Sequence, residues 1–187
     1  MVKSLYAFGA GFVVALGMVG FQYLTPAEAN NPELQKICDA DQEDRKPATM
    51  DWEAVSLRDE KRLARVKEIF TSGEVNTTQD LFNAALVLQH GTEPDDYLLS
   101  HELSVAALAL SAKNHQAAWL AAASEDRFLM NLKRPQRFGT QFRSEGLNKP
   151  MLLHEVAPVV TDQLRKWMST PSLADAKKRE AEYNKGG

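Results

Sequence analysis

The sequence predicts an all-α domain: a compact bundle of about six helices, with a long loop before the last core helix. Three observations point there. Apolar residues recur at intervals of three and four, helix start and stop signals bracket each such run, and no strand-like alternation persists anywhere. Nor is there a clean repeat of the length that marks a helical solenoid.

The elements follow in order. Asn31-Pro32 is a good helix start, with Asn as N-cap and Pro in the first turn, and the helix is expected to run to about Arg45 before Pro47 stops it. The stretch around Met50-Asp51-Trp52 is expected to be irregular. Ser56 and Asp59 resemble a capping box opening a second helix, with Leu63, Val66, Ile69 and Phe70 on one face and Gly73 at its end. Thr77 and Asp80 open a third, closed by Gly91. Pro94 opens a fourth whose second half is apolar or small all round, the mark of a buried central helix. After a tight turn at Lys113-Asn114, a fifth helix returns antiparallel through "HQAAWLAAASEDRFLMNL". Residues 133–150 read as a long loop, of the kind that often serves function. Residues 151–169 read as a last core helix that Pro158 kinks or splits, and the charged stretch after Pro171 as a surface helix or frayed tail.

The N-terminal stretch Met1–Ala29 has a different character. An apolar run from Leu5 to Leu24 follows Lys3. Its length suits a membrane anchor, since about 20 apolar residues span the hydrocarbon core. The Ala27-Glu28-Ala29 pattern before Asn30 suits a cleaved signal peptide, whose apolar region is usually roughly 7–15 residues. Either way the domain is exported: periplasmic, or anchored to the outer side of the cytoplasmic membrane through residues 5–24. The chain thus divides into a signal peptide or membrane anchor (1–29), a helical domain (30–170) and a charged C-terminal tail (171–187).

Composition removes several function classes. With 25 acidic and 22 basic residues mixed along the chain and a net charge of −3, there is no basic face for nucleic acid. The single cysteine, Cys38, excludes an internal disulfide and zinc sites built on several thiolates; it lies on an apolar stripe and reads as packing. "HELSV" and "HEVAP" lack the second His of a zincin helix, no Glu-x-x-His pair is present for a di-iron bundle, and no nucleophile elbow, P-loop or dinucleotide fingerprint is found. No metal and no cofactor is therefore expected, although His90, His101 and a carboxylate stay open as metal donors, since their separations are not legible in the sequence.

What stands out is polar residues on apolar stripes. Leu34, Ile37 and Cys38 point inward on the first helix, and the same stripe continues to Asp41 and Arg45, four apart and able to pair. His101 lies on the stripe of Tyr97, Val105 and Leu108, and Asp126 on that of Trp119, Ala123 and Met130; Arg127 shares a face with Leu120 and Ala123. His90 ends the third helix. A buried charge needs a partner, and the economical arrangement is one shared cluster of Asp41, Arg45, Asp126, Arg127 and the histidines, capped by Gln136, Thr140 and Gln141 from "PQRFGTQF". Gly139 allows a turn or close approach there. Taken singly, Arg–Asp pairs between helices often only tie a loop to a bundle, His101 reads best as a satisfied core histidine, His115 and His154 as surface or helix-end residues, and Trp52, Trp119 and Trp167 as core or core-edge packing.

"DQEDR" at 41–45, "LQHG" at 88–91, "AAWLAAASEDRFL" at 117–129 and "PQRFGTQF" at 135–142 resemble a bacterial family of domains of unknown function. In that family Asp-Gln-x-x-Arg, Gln-His, Asp-Arg and Pro-Gln-x-[Phe/Tyr]-Gly-Thr-Gln motifs occur in this order. The resemblance spans about residues 34–173. It implies that Asp41, Gln42, Arg45, Gln89, His90, Asp126, Arg127, Gln136 and Gln141 belong together, and it implies no activity.

Two functions are expected from these residues. The first is a small hydrolase or acyl-transfer type enzyme, or a ligand-binding domain. His90 is its acid/base, oriented by Asp126 or Asp41; Asp41, Gln42, Arg45, Arg127, Gln136 and Gln141 bind the ligand. The second is a non-catalytic helical interaction module in which the cluster is an internal brace. The partner is a small molecule or a protein.

Overall fold

A computed structural model of the chain describes residues 29–46, 51–144, 146 and 149–185. The targeting segment and its membrane contact, read in residues 1–29, lie outside them apart from Ala29. Among the described residues the helices are α1 (Pro32–Glu43), α2 (Trp52–Thr71), α3 (Thr78–Leu88), α4 (Pro94–Leu110), α5 (His115–Asn131), α6 (Asp162–Trp167) and α7 (Leu173–Tyr183). A small antiparallel pair, β1 (Phe142–Ser144) and β2 (Met151–Leu153), lies between α5 and α6. The fold is mostly helical, as the sequence predicts. No helix among the described residues is long and apolar enough to cross a membrane.

Local chemistry explains most boundaries. The Asn31 side chain accepts from the Glu33 and Leu34 amides, and its own amide donates to Asp80 Oδ1 at 2.8 Å, tying the start of α1 to the start of α3. Thr77 and Asp80 form the capping box expected of α3. The second helix begins earlier than the sequence suggests: Asp51 caps it through the Ala54 amide, and Ser56 lies inside it. Asp59 is thereby released from a capping role and pairs with arginines instead.

One core gathers Leu34 and Cys38 from α1, Val66 and Ile69 from α2, Ala84, Val87 and Leu88 from α3, Leu103 from α4 and Leu120 from α5. A second, smaller core forms beyond α5, where Ala122 meets Phe138 and Val160. The central helix is α5, not α4. Ala117, Ala118 and the run Leu120–Ser124 are buried, whereas Val105 and Leu110 of α4 are exposed. Small side chains let neighbours approach α5 from several sides, and composition alone does not separate the two Ala-rich helices. The tryptophans also depart from expectation: Trp52 and Trp167 are mostly exposed.

The main correction concerns residues 133–169. The last core helix expected at 151–169 is instead β2, an irregular segment with a turn at 158–159, and the short α6. Pro158 lies in a turn just after the bridge at Val156, where a missing N–H and a fixed φ do no harm. Gln136 bridges this segment at Val156: its amide donates to Glu155 O and its carbonyl accepts from Ala157 N. The charged stretch after Pro171 is a helix, α7, docked on β2. Glu180 accepts from the Leu153 amide, and the Asn184 side chain both accepts from Met151 N and donates to Met151 O. Those contacts cover the outer edge of a strand too short to stand alone.

Candidate functional site

Asp41 is fully buried on the stripe of Leu34 and Cys38. Three side chains hold its carboxylate. Arg45, one turn on, reaches Oδ1 at 3.0 Å and also donates to the Asp41 carbonyl; Gln42 donates to Oδ2 at 2.8 Å; His90 brings Nδ1 to Oδ1 at 3.1 Å. With a carboxylate as acceptor, Nδ1 carries the proton, so Nε2 of neutral His90 has a free lone pair. Nε2 has no hydrogen-bond partner among the described residues. Arg45 is shared: it also clamps Asp59 of α2 at 2.7 Å, and Arg62 holds the other Asp59 oxygen at 3.0 Å.

His90 is placed by the end of α3. Its amide and that of Gly91 bond back to Val87 O and Leu88 O, turning the chain towards α4. A side chain at Gly91 would run into Asp96, whose Oδ2 lies 2.3 Å from where a Cβ would sit. Asp96 is pinned there by capping α4 and by an ion pair with Lys67. Tyr97 donates its hydroxyl to Gly91 O at 2.6 Å.

Arg45, Asp59, His90 and Gly91 open onto a cleft of about 510 Å³. Arg45 comes from the turn after α1; Trp52, Val55, Ser56, Asp59, Glu60 and Leu63 from α2; His90, Gly91 and Thr92 from the α3–α4 turn; Arg127 from α5. Arg127 is the odd member. Its Nε is buried with no partner, and its guanidinium makes no hydrogen bond or ion pair among the described residues. Burial pushes it down from its ordinary pKa, nearby Tyr97 works the other way, and the Arg45 charge adds to the downward push. An arginine stays protonated even so, and a cation with no counter-charge therefore lines the cleft.

The single shared cluster expected from the sequence is two clusters. Asp126 does not orient His90; Asp41 does. The Asp126 carboxylate accepts from Arg137 N, Phe138 N, Thr140 N and Thr140 Oγ1 at 2.7–3.1 Å, taking up the donors of the "RFGT" turn. Gly139 supplies the φ of +80° that this turn requires. Buried Arg165 of α6 takes up the matching carbonyls, donating to Arg137 O, Phe138 O and Val160 O. Gln136, with no exposed surface, donates to Gln141 O and His154 O and accepts from Gln141 N, standing in for a strand between two segments. Gln141 donates to Ala123 O and Thr140 Oγ1. None of Asp126, Gln136 and Gln141 lines the cleft.

Among the described residues His101 bonds to no side chain; half-buried, it is satisfied by the Ala121 carbonyl, which its Nδ1 meets at 2.8 Å. It is not near His90 in bonding terms, and no group of three or more His, Cys, Asp or Glu among the described residues is arranged to hold a metal ion. Cys38 is buried in the main core, and desolvation first, then the Asp41 and Asp39 charges, push its thiol up to about 12, which suits packing rather than nucleophilic work.

Sequence reasoning missed Asp59, Trp52 and Tyr97. Their signal was weak: Asp59 precedes Arg62 by three residues, but nothing local marks it as the acid that also meets Arg45 across 14 positions.

The fold and the site together define a mostly helical domain in which a half-buried histidine, paired with a buried aspartate, opens onto a cleft. No family model, curated protein or solved structure matches the chain.

Proposed function

We propose that this chain is an exported small-molecule enzyme or binding domain whose working site is the cleft at His90, with Asp41 and Arg127 as its partners. The observation that carries this reading is the position of His90. Its Nδ1 is fixed on a fully buried carboxylate, while its other nitrogen is unpartnered and its ring lines an open cleft with Arg127. That is the arrangement of a general base: Asp41 sets the tautomer and supports the imidazolium that forms. In a hydrolysis or acyl transfer, Nε2 takes the proton of a water or hydroxyl as its oxygen adds to a carbonyl, then returns that proton to the leaving group. Arg127 holds negative charge on the substrate. Asp41, Gln42 and Arg45 act as positioning residues. The family resemblance fits this division, since its first two motifs build the pair.

Release of p-nitrophenol from a panel of p-nitrophenyl esters tests the reading. His90→Ala is expected to abolish turnover and to lower Tm by only a few degrees. If no ester turns over and His90→Ala lowers Tm sharply, His90 is a brace. That second reading, an interaction module, draws support from Asp126, Gln136 and Gln141, which are all engaged internally. Export rests on the apolar run 5–24 after Lys3 and on the Ala27-Glu28-Ala29 pattern. N-terminal sequencing of the chain from a membrane-bounded expression host should begin at Asn30, whereas an intact N-terminus in the membrane fraction identifies an anchor.

A further inference from the structure

Among the cations of the cleft, Arg45 lies between Asp41 and Asp59, while Arg127 has no acid among the described residues. A half-buried guanidinium whose Nε is fully buried, with no counter-charge among the described residues, is a cost the fold has no structural reason to bear. Its planar fork suits the two oxygens of a carboxylate. The rest of the cleft limits the charge of the guest. Asp41 and Asp59 are already matched, and Glu60 adds an exposed carboxylate on the same lining, so a second negative charge on the ligand would meet repulsion with no cation left to hold it. The N-terminal half of α2 supplies the opposite chemistry: Trp52, 61% exposed, lies with Val55 and Leu63 along the cleft. An indole left in water on the lining of a cleft of about 510 Å³ is an apolar surface that a ligand body can cover.

We infer that the cleft takes a monocarboxylate with an apolar body, the carboxylate held by Arg127 and the body laid along Trp52, Val55 and Leu63. This rests on the cleft being the working site, and it names the class of molecule that enters it.

Isothermal titration of the full chain in a neutral detergent, against hexanoate, phenylacetate, hexyl phosphate, hexylamine and hexanol, tests the assignment. Hexanoate and phenylacetate should bind, and Arg127→Gln should weaken both about tenfold or more, a little over 1 kcal/mol. Arg127→Lys should fall between, keeping the charge and losing the fork. The Tm of Arg127→Gln should match or exceed that of the parent, because no ion pair is lost; a marked fall would show a structural role and overturn the proposal. Tighter binding of hexyl phosphate than of hexanoate, equal binding of hexanol or hexylamine, or carboxylate binding indifferent to Arg127→Gln would each overturn the monocarboxylate assignment while leaving the cleft as a site. Binding of none of the five would overturn both.

Discussion

Asp41 and Asp126 are both carboxylates with no exposed surface, yet they do different work. Asp126 accepts four hydrogen bonds from one turn, three of them from backbone amides. Removing it leaves those amides unpaired, and each buried orphan costs about 1–3 kcal/mol. Asp126→Ala is therefore expected to destabilise the chain by about 3 kcal/mol or more in urea unfolding, with no effect on ligand affinity in the cleft beyond that of partial unfolding. Asp41→Ala should cost about 3 kcal/mol as well, because Arg45 and His90 lose a buried counter-charge, and it should also abolish any turnover that depends on His90. The two variants separate brace from site by activity, measured under conditions where both are folded. Cys38 offers a pH test. Its thiol is raised from an ordinary value of 9.0 to about 12 in the fold. A raised pKa means that the folded chain holds the proton more tightly, so this contribution is complete below pH 9 and is lost as pH rises towards 12. Cys38→Ala should show a shallower loss of stability over that range in urea titrations, and native Cys38 should resist iodoacetamide at pH 8.

At the scale of elements, the seam between α1 and α2 is ionic. Arg58 and Arg62 both hold Asp44, and Arg65 holds Glu33 through two bonds at 2.7 and 2.8 Å. Arg58 first, then Arg62, pull the Asp44 carboxyl down to about 2. The sign is that of a depressed acid: the contribution is present above pH 3.8 and is lost as pH falls through about 2. Asp44→Asn should thus be less stable than the parent at pH 7, and the gap should close on acidification; an equal gap at pH 2 and pH 7 would refute the assignment. The seam is partly exposed, so salt should weaken it. The hairpin depends on α7 in another way. A chain ending at Pro171 loses Glu180 and Asn184 from the edge of β2. Hydrogen exchange should then rise at Met151 and Leu153 while the amides of α3 and α5 stay protected, as expected for elements that open separately.

For the molecule as a whole, α5 divides two cores, and each polar cluster belongs to one side of it. The cleft opens on the α1–α3 side, and the braced turn packs with Val160 and α6 on the other. How much of this was legible follows from the range of each interaction. The caps at Asn31 and Thr77 were legible because a cap is a contact over two or three residues. So was the Asp41–Arg45 pair, four residues apart, although Arg45 lies in the turn just past the end of α1. The meeting of His90 with Asp41 was legible only as a need: a charge on an apolar stripe requires a partner, but the sequence did not say that the partner was 49 residues away. Residues 151–169 were misread because Met151-Leu152-Leu153 is as apolar as a helical turn, and its strand character comes from pairing with Phe142–Ser144 and from the α7 side chains, not from its own propensity. Asp126 and Arg127 show the same limit within one dipeptide. Adjacent on α5, they face different clusters, since neighbours on a helix point about 100° apart.

The sequence by itself determined the helical class, most helix starts and the set of polar residues that had to find partners, because each of these depends on composition or on contacts within a turn. Tertiary structure alone decided which partners they found: it divided one expected cluster into a braced turn and an open cleft, and among the described residues it left Arg127 without an acid. Long-range packing chooses among partners that local spacing leaves equivalent, and so the site was decided there.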